Sequence, residues 1–247
     1  MDVTVVDTIV RFRLSGRFAH FARAETQTTI LSYPVPPRTA ILGLIGAVLG
    51  LAKDEAPVVL DPCDIAVAGL AARSHWHTAK LRKDPPEALP RQVKSSQTID
   101  KATKPEKASL IIQEWLWHPD YTVWARLPAP YHTEFVGRLR QGRWHFSPCL
   151  GLSEMLASIS EVHEASVAGL PPAVYPVRSV LLLSSATVDV AYALERSMGL
   201  HIVSMPRTVT PNRVFSHQAY VMETQGMAIV AETAAAYQVD DEVIMFL

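Results

Sequence analysis

The segment from residue 32 to 51, SYPVPPRTAILGLIGAVLGL, contains the strongest structural signals in the chain. Its prolines at 36 and 37 predict a helix start, because proline is tolerated in a first helical turn, where backbone N–H groups have no intrahelical partner. The residues from Pro37 to Leu51 are apolar on nearly every side of that helix. We therefore expect the helix to be buried against a sheet.

Three glycines in this helix, at positions 43, 46 and 50, fall at spacings of three and four. They line one face with residues that lack a side chain, and glycine in a helix interior costs stability. We therefore expect this face to pack closely against a neighbouring element. A nucleic-acid-binding glycine loop is the less favoured interpretation, because the run is apolar.

Strand and helix patterns extend outward from this segment. They predict strands at 3–14 and 64–72, two strands meeting at a turn within 109–127, a helix at 132–140 and a strand at 157–168. Within these elements a β-α-β-β-α-β order predicts an α+β, ferredoxin-like (RRM-type) domain over residues 1–170. A small β-rich part over 171–247 follows, with strands expected at 180–184, 201–205, 218–222, 227–231 and 243–246.

Composition excludes several classes of protein. The 247 residues suit one large domain or one with a small appendage, and a net charge of −1 excludes a uniformly basic nucleic-acid binder. The two cysteines, Cys63 and Cys149, and the nine histidines lack metal-ligand spacing, so we expect no metal and no cofactor. The longest apolar run, 40–52, is shorter than the roughly 20 residues of a bilayer span, so we expect a soluble, cytoplasmic chain without membrane contact.

One segment departs from this near-neutral balance. Residues 73–107 contain nine Lys or Arg against four Asp or Glu, and four prolines. Two structures remain open for it, a long flexible insertion or an extended hairpin. A run of charge is usually a solvated loop, but the contrast with the remainder of the chain favours contact with a nucleic acid.

Two blocks of sequence resemble a known family. GRFAHFAR at 16–23 together with the segment at 32–51 resembles the N-terminal signature of CRISPR-associated protein family five, and PCLGLSE at 148–154 resembles its second conserved turn. The Met205-Pro206-Arg207 stretch, Arg213 and the closing 243–247 segment are consistent with the same family.

The resemblance implies a non-catalytic subunit of a type I Cascade complex, of an I-B-like branch, in antiviral defence. Such a subunit has an RNA-recognition fold with a basic thumb insertion, here at about 73–108. It grips the 5′ handle of the CRISPR RNA (crRNA). It also contacts the backbone subunit and the large subunit, and it meets target DNA only indirectly.

Arg38 is the first candidate for RNA contact. It lies at the predicted helix start, where free N–H groups and the helix dipole favour a phosphate, and its guanidinium adds a bidentate donor. Thr39 is a candidate for the same phosphate. The alternatives are a structural, salt-bridged arginine and a capping threonine.

Further RNA candidates combine arginine for phosphate with aromatic rings for stacking. The alternatives for them are packing in the core, a solvated loop or, for the glycine, a positive φ angle. They are Arg17, His20, Phe21, Arg23, Tyr33, Arg73, Trp76, Lys80, Arg82, Lys83, Lys94, Lys101, Lys104 and Gly151.

Two other functions are carried as alternatives. A branch of the family cuts precursor crRNA without metal, and Tyr33, His75, His77 and Lys80 are suitable acid–base residues. That branch has an adjacent Lys-His pair, which this sequence lacks, so we favour a non-catalytic chain. A protein-interaction module without RNA is the other alternative, and the basic insertion argues against it.

Overall fold

A computed structural model describes residues 8–23, 29–70, 72–82 and 108–247, with the backbone alone at 81, 82, 108 and 109. The start of the first predicted strand and the predicted contacts of Lys83, Lys94, Lys101 and Lys104 lie outside the described residues. So does the predicted contact of the Arg82 side chain.

Four antiparallel strands form one end of the main sheet, in the order β8-β1-β7-β4, with β4 at the edge. They are β1 (Thr8–Ser15), β4 (Asp64–Gly69), β7 (Asp120–Arg126) and β8 (Ser158–Gly169). Alternation along β1 directs Val10, Phe12 and Leu14 into the larger core and Ile9 into a second core on the opposite face.

Two helices supply the larger core. Helix α1 (Arg38–Leu49) follows β1, and α3 (Tyr131–Gln141) follows β7; their apolar residues join the same cluster, with Phe12 edge-on to Phe135 at 5.9 Å. A short helix, α2 (Ala56–Val59), lies between α1 and β4. The buried helix and the predicted element order are confirmed. The ferredoxin-like class stays our interpretation of that order.

The predicted insertion is framed by a hairpin. Strands β5 (Arg73–Arg82) and β6 (Ala108–Trp117) pair antiparallel over ten residues. The described residues that flank the insertion therefore form an extended hairpin, which was one of its two predicted structures. Two short strands, β2 (Phe18–Ala19) and β3 (Thr29–Ile30), attach to the other edge of β6.

The C-terminal part continues the main sheet beyond β8, in the order β8-β15-β16-β9-β14-β11, and adds a sheet β10-β13-β12. Its strands are β9 (Ala173–Val177), β10 (Leu181–Leu182), β11 (Ala186–Val188), β12 (Leu200–Val209), β13 (Phe215–Glu223), β14 (Ile229–Thr233), β15 (Tyr237–Val239) and β16 (Glu242–Ile244). The hydrogen-bonded sheet therefore crosses the predicted boundary near residue 170.

Sequence patterns missed the short helix α4 (Val190–Glu195). Six residues are too few to show a helical period. Its start has a local signal, since the Asp189 carboxylate accepts a hydrogen bond from the backbone N–H of Tyr192 at 2.9 Å.

Candidate nucleic-acid interface

A groove of about 620 Å³ runs along one side of α1, and we call it the α1 groove. Four parts of the chain line it: the segment after β1, helix α1 with α2, the turn at 146–152, and β12 with the start of β13. Its small-residue side is formed by Ala40, Gly43, Gly46 and Ala47. The groove therefore depends on contacts between segments that are far apart in sequence.

The start of α1 opens into this groove. Pro37 and Thr39 line it, and the N-cap residue Pro37 makes no side-chain capping bond. The first N–H groups of a helix and its dipole favour an anion. Two exposed cations, Lys53 and Arg213, also line the groove, and among the described residues that line it there is no carboxylate. The electrostatics of the groove therefore suit a polyanion.

His20 contributes a buried imidazole to the same surface. Its side chain is only 2% exposed, and Nδ1 lies 2.7 Å from the carbonyl oxygen of Glu114. A carbonyl only accepts, so Nδ1 donates, and in the neutral ring Nε2 is then an acceptor. Within the described part of the chain Nε2 has no hydrogen-bond partner. Nε2 is itself buried, so a ligand in the groove would reach this acceptor only after a local movement of the chain.

The glycine face of α1 is divided between packing and the groove. At Gly46 a Cβ would lie 2.7 Å from the Cβ of Ala56, which confirms the predicted close packing there. At Gly43 a Cβ would meet nothing within 4 Å. Gly43 instead leaves room on the groove side, so close approach at this position is available to a ligand.

Gly151 has a structural role in positioning His20. Its φ is +97°, and a Cβ there would lie 1.9 Å from the carbonyl oxygen of His20. The turn is held to the same residue by a 3.0 Å bond from the His20 N–H to the carbonyl of Leu150. Both the positive φ and the close approach are therefore required by contacts within the protein backbone. This favours a structural role for Gly151 over close approach of an RNA backbone.

Arg38 is committed to the protein interior. It is 5% exposed, and its guanidinium donates to the carbonyl oxygens of Cys63 at 2.9 Å and Arg207 at 3.1 Å. It also donates to the carbonyl of Asp61 at 2.5 Å and pairs with the Asp61 carboxylate at 3.4 Å. A phosphate would have to displace these acceptors. The structure therefore favours a structural role for Arg38 over contact with RNA.

Other candidates near the groove are largely packed. Phe21 and Tyr33 are 5% and 2% exposed, and Phe21 lies 6.3 Å from the ring of Tyr121. Half-buried Arg23 donates to the carbonyl of Ser32 at 3.2 Å and lies 5.3 Å from the centre of the Tyr33 ring. Phe21, Tyr33 and Thr39 all line the groove, but Phe21 and Tyr33 are also buried members of the larger core, as the core interpretation predicts.

The hairpin presents the remaining described candidates on two faces. Arg73 pairs with Trp117 and shares its face of the hairpin. Phe18 pairs with Trp117 from the other side, and the guanidinium of Arg17 lies 5.5 Å from the centre of the Phe18 ring. Trp76 and Lys80 belong to the opposite face, as the strand register shows, and both are exposed. The predicted RNA residues are therefore divided between the α1 groove and the two faces of the hairpin.

Several groove residues were not among the sequence candidates. Phe146 and Phe215 line the groove with exposed rings, 56% and 41% exposed, and Lys53 lies at its edge. The sequence signal for these two residues was weak. Each Phe lies in a short stretch with polar residues, and an exposed large apolar side chain in such a stretch indicates contact with a partner.

The two cysteines differ in access to the groove. Burial raises the pKa of the Cys63 thiol to about 12, and the thiol is enclosed by the core. Cys149 is half-buried and lines the groove, where burial and the Glu154 charge raise its pKa. Cys149 is therefore a chemical reporter of the groove. Within the described residues, no three His, Cys, Asp or Glu come together as a metal site, and no helix has the length and apolar character to span a membrane.

Comparison with solved structures shows similar folds. The chain matches a crystal structure of a CRISPR protein from Archaeoglobus fulgidus with a TM-score of 0.52 and 11% identity, covering 97% of this chain and 98% of the other. It also matches a chain of a CRISPR RNA-guided surveillance complex, with a TM-score of 0.48, 14% identity and coverage of 88% and 90%. None of the curated protein sequences matches.

The family comparison covers most of the chain. A model described as CRISPR-associated protein (Cas_Cas5) matches residues 9–225. That range includes β1, the whole α1 groove and the hairpin. The chain belongs to the Cas5 family of CRISPR-associated proteins.

Proposed function

We propose that this chain is a non-catalytic RNA-binding subunit of a type I CRISPR effector complex, and that the α1 groove holds the 5′ handle of the crRNA. The observation that carries the proposal is a groove whose described lining residues include no carboxylate, at an uncapped helix start, in a chain of the Cas5 family. A volume of about 620 Å³ is in the range of small-molecule sites and suits one or two nucleotides.

Each part of the groove has a chemical counterpart in a single RNA strand. The start of α1, Lys53 and Arg213 suit phosphates, and the exposed rings of Phe146 and Phe215 suit stacking on bases. The unpartnered Nε2 of His20 is buried, and a local movement that exposed it would let it accept from a ribose 2′-hydroxyl or a base amine.

Neighbouring subunits are the second part of the proposal. One face of the hairpin exposes Trp76, Leu110 and Ile112, at 55%, 72% and 44%. Large apolar side chains grouped on an exposed face are typical of a protein interface. This supports contact with a backbone or large subunit in the assembled complex, with target DNA reached only through those neighbours.

The non-catalytic assignment is also a proposal. Of the acid–base candidates, Tyr33 lines the groove, whereas His77 stacks on Trp115 at 3.9 Å on the hairpin. Metal-independent cutting of a repeat RNA by the isolated chain in EDTA, lost in His77→Ala or Tyr33→Phe, would establish the endoribonuclease alternative instead.

The groove proposal is tested by filling it. Leucine at Gly43 would project into the groove, and Gly137 on α3 is a matched control, because a Cβ there also meets nothing within 4 Å and it lies outside the groove. Both changes remove a helical glycine, which by itself favours stability by up to about 1 kcal/mol. We expect Gly43→Leu to weaken binding of a labelled repeat RNA by about tenfold or more, the size of one lost base stack, and Gly137→Leu to leave it unchanged.

The measurement is fluorescence anisotropy at a fixed, moderate salt concentration, since phosphate contacts make affinity salt-dependent. Affinity of Gly43→Leu equal to that of the unmodified chain would reject the groove as the RNA site. Equal loss in both would point to a general effect on the fold.

A further inference from the structure

The hairpin has a second face that the proposed function does not use. Direct cross-strand pairs place Arg73 opposite Trp117, His75 opposite Trp115, and Phe18 of β2 opposite Trp117 on its other side. Directly opposed residues share a face of a sheet. We call Phe18, His75, His77, Trp115 and Trp117 the aromatic face.

The rings of the aromatic face are already arranged against one another. His77 stacks on Trp115 with centroids 3.9 Å apart and planes 25° apart. Phe18 lies 5.3 Å from Trp115 and 6.0 Å from His75. Trp115 is fixed further by a bond from its indole N–H to Gln113 at 3.1 Å. A guest ring would therefore meet a surface that needs little ordering on binding.

The outer end of this array is open. Trp117 is 46% exposed, and the next ring along the chain, exposed His118, lies 5.1 Å from it. His75 is exposed as well. The planes of the Trp117 and His118 rings are tilted by 47° to each other, and exposed rings close to one another suit stacking with the bases of a flexible single strand.

Charge selects the kind of partner. Arg17 and Arg73 flank the aromatic face, both are exposed, and none of the residues of the face is acidic. Arg73 also begins the segment 73–107, which has nine basic against four acidic residues. The opposite face carries Glu114 and the exposed apolar Leu110 and Ile112 instead. Aromatic rings combined with arginines suit a polyanion with planar groups, whereas the opposite face suits protein.

We propose that the aromatic face is a second nucleic-acid site, for a single strand whose bases stack on Trp117 and His75 and whose phosphates contact Arg17 and Arg73. The site is separate from the α1 groove and does not depend on it. A duplex is disfavoured, because its bases are already stacked and paired. RNA and DNA share the chemistry used here, so either strand fits.

The test compares the two exposed tryptophans of the hairpin in the full chain. Trp117→Ala should weaken binding of oligo(U) and of oligo(dT) by about tenfold, Trp117→Phe should restore most of it, and Trp76→Ala on the opposite face should change neither. Arg17→Ala and Arg73→Ala should each lower the slope of log affinity against log salt by about 0.7. A duplex of the same length should bind more weakly than either strand.

Equal affinity of Trp117→Ala and Trp76→Ala, a loss confined to Trp76→Ala, or tighter binding of the duplex would overturn the proposal. Repeating Trp117→Ala in the Gly43→Leu background separates the two sites, since effects at independent sites add. If Gly43→Leu alone binds normally while Trp117→Ala does not, the groove proposal fails and the aromatic face stands.

Discussion

The α1 groove and the aromatic face reach a similar chemistry by different construction. The groove joins segments from His20 to Phe215, and its shape depends on the packing of the whole core. The aromatic face is built from β5, β6 and the two-residue β2; cross-strand pairing aligns its rings, and Phe18 and Trp115 also pack against the larger core. Mutations in the two regions should therefore act differently. Changes around the groove should cost stability, whereas changes at the exposed Trp117 and His75 should cost binding alone.

The largest expected effect is at Arg38, which frames the groove from inside. Arg38→Ala removes the donor for three buried or half-buried carbonyls and leaves the Asp61 carboxylate without its partner. We expect a loss of roughly 3–5 kcal/mol in the free energy of unfolding from the unpaired carbonyls, measured by urea titration; the Asp61 carboxylate adds little, because its side chain is 60% exposed. Arg140→Ala, which breaks the exposed pair with Glu164, should cost less than about 1 kcal/mol.

The outcome at Arg38 also decides between its two interpretations. If Arg38→Ala unfolds at the same urea concentration as the unmodified chain but loses RNA affinity, Arg38 is a ligand for phosphate, as its position at the helix start suggested. Arg38→Lys keeps the charge but not the geometry of the donors, and we expect it to behave as Ala does.

The next effect is at Gly151, in the turn that positions His20. Gly151→Ala combines a positive φ with a Cβ placed 1.9 Å from the His20 carbonyl oxygen, so we expect a loss of roughly 2–4 kcal/mol. Gly142 is the control: its φ is +60°, and a Cβ there meets nothing within 4 Å. Gly142→Ala should cost only about 1 kcal/mol.

Thermal unfolding of the two glycine variants measures the difference. Similar melting temperatures would show that the contact with His20 is unimportant and that the turn at 148–154 can move away. In that case Gly151 would return to the residues available for RNA.

Local patterns in the sequence predicted the helix and strands that form the α1 groove and the aromatic face. The prolines before Arg38 located α1 to within two residues, since helix starts depend on neighbouring residues. The charge contrast located the hairpin, and strand patterns located β6 and β7, which do not pair with each other. The open face at Gly43 was not foreseen, because the pattern predicts close packing without saying which glycines meet a neighbour.

Long-range contacts were beyond prediction. The acceptors that enclose Arg38 come from positions 23 to 169 residues away, so its burial could not be read from its place at a helix start. Phe215 reaches the groove only because β12 and β13 fold over α1. The aromatic face needed the register of β5 on β6, which sets which of the three tryptophans in the hairpin share a face.

The most direct test of RNA binding in the α1 groove uses the two cysteines, because Cys149 lines the groove and Cys63 does not. The thiolate is the reactive form, and both thiols have raised pKa values, so alkylation of Cys149 should be slow at pH 8 and accelerate as pH rises, while Cys63 stays unmodified in the folded chain. Saturating repeat RNA should slow alkylation of Cys149, measured by mass spectrometry at pH 8.5, by about fivefold or more, as expected for a site more than 80% occupied. An unchanged alkylation rate at an RNA concentration that saturates binding would show that the RNA lies outside the α1 groove, and it would contradict the proposed RNA site.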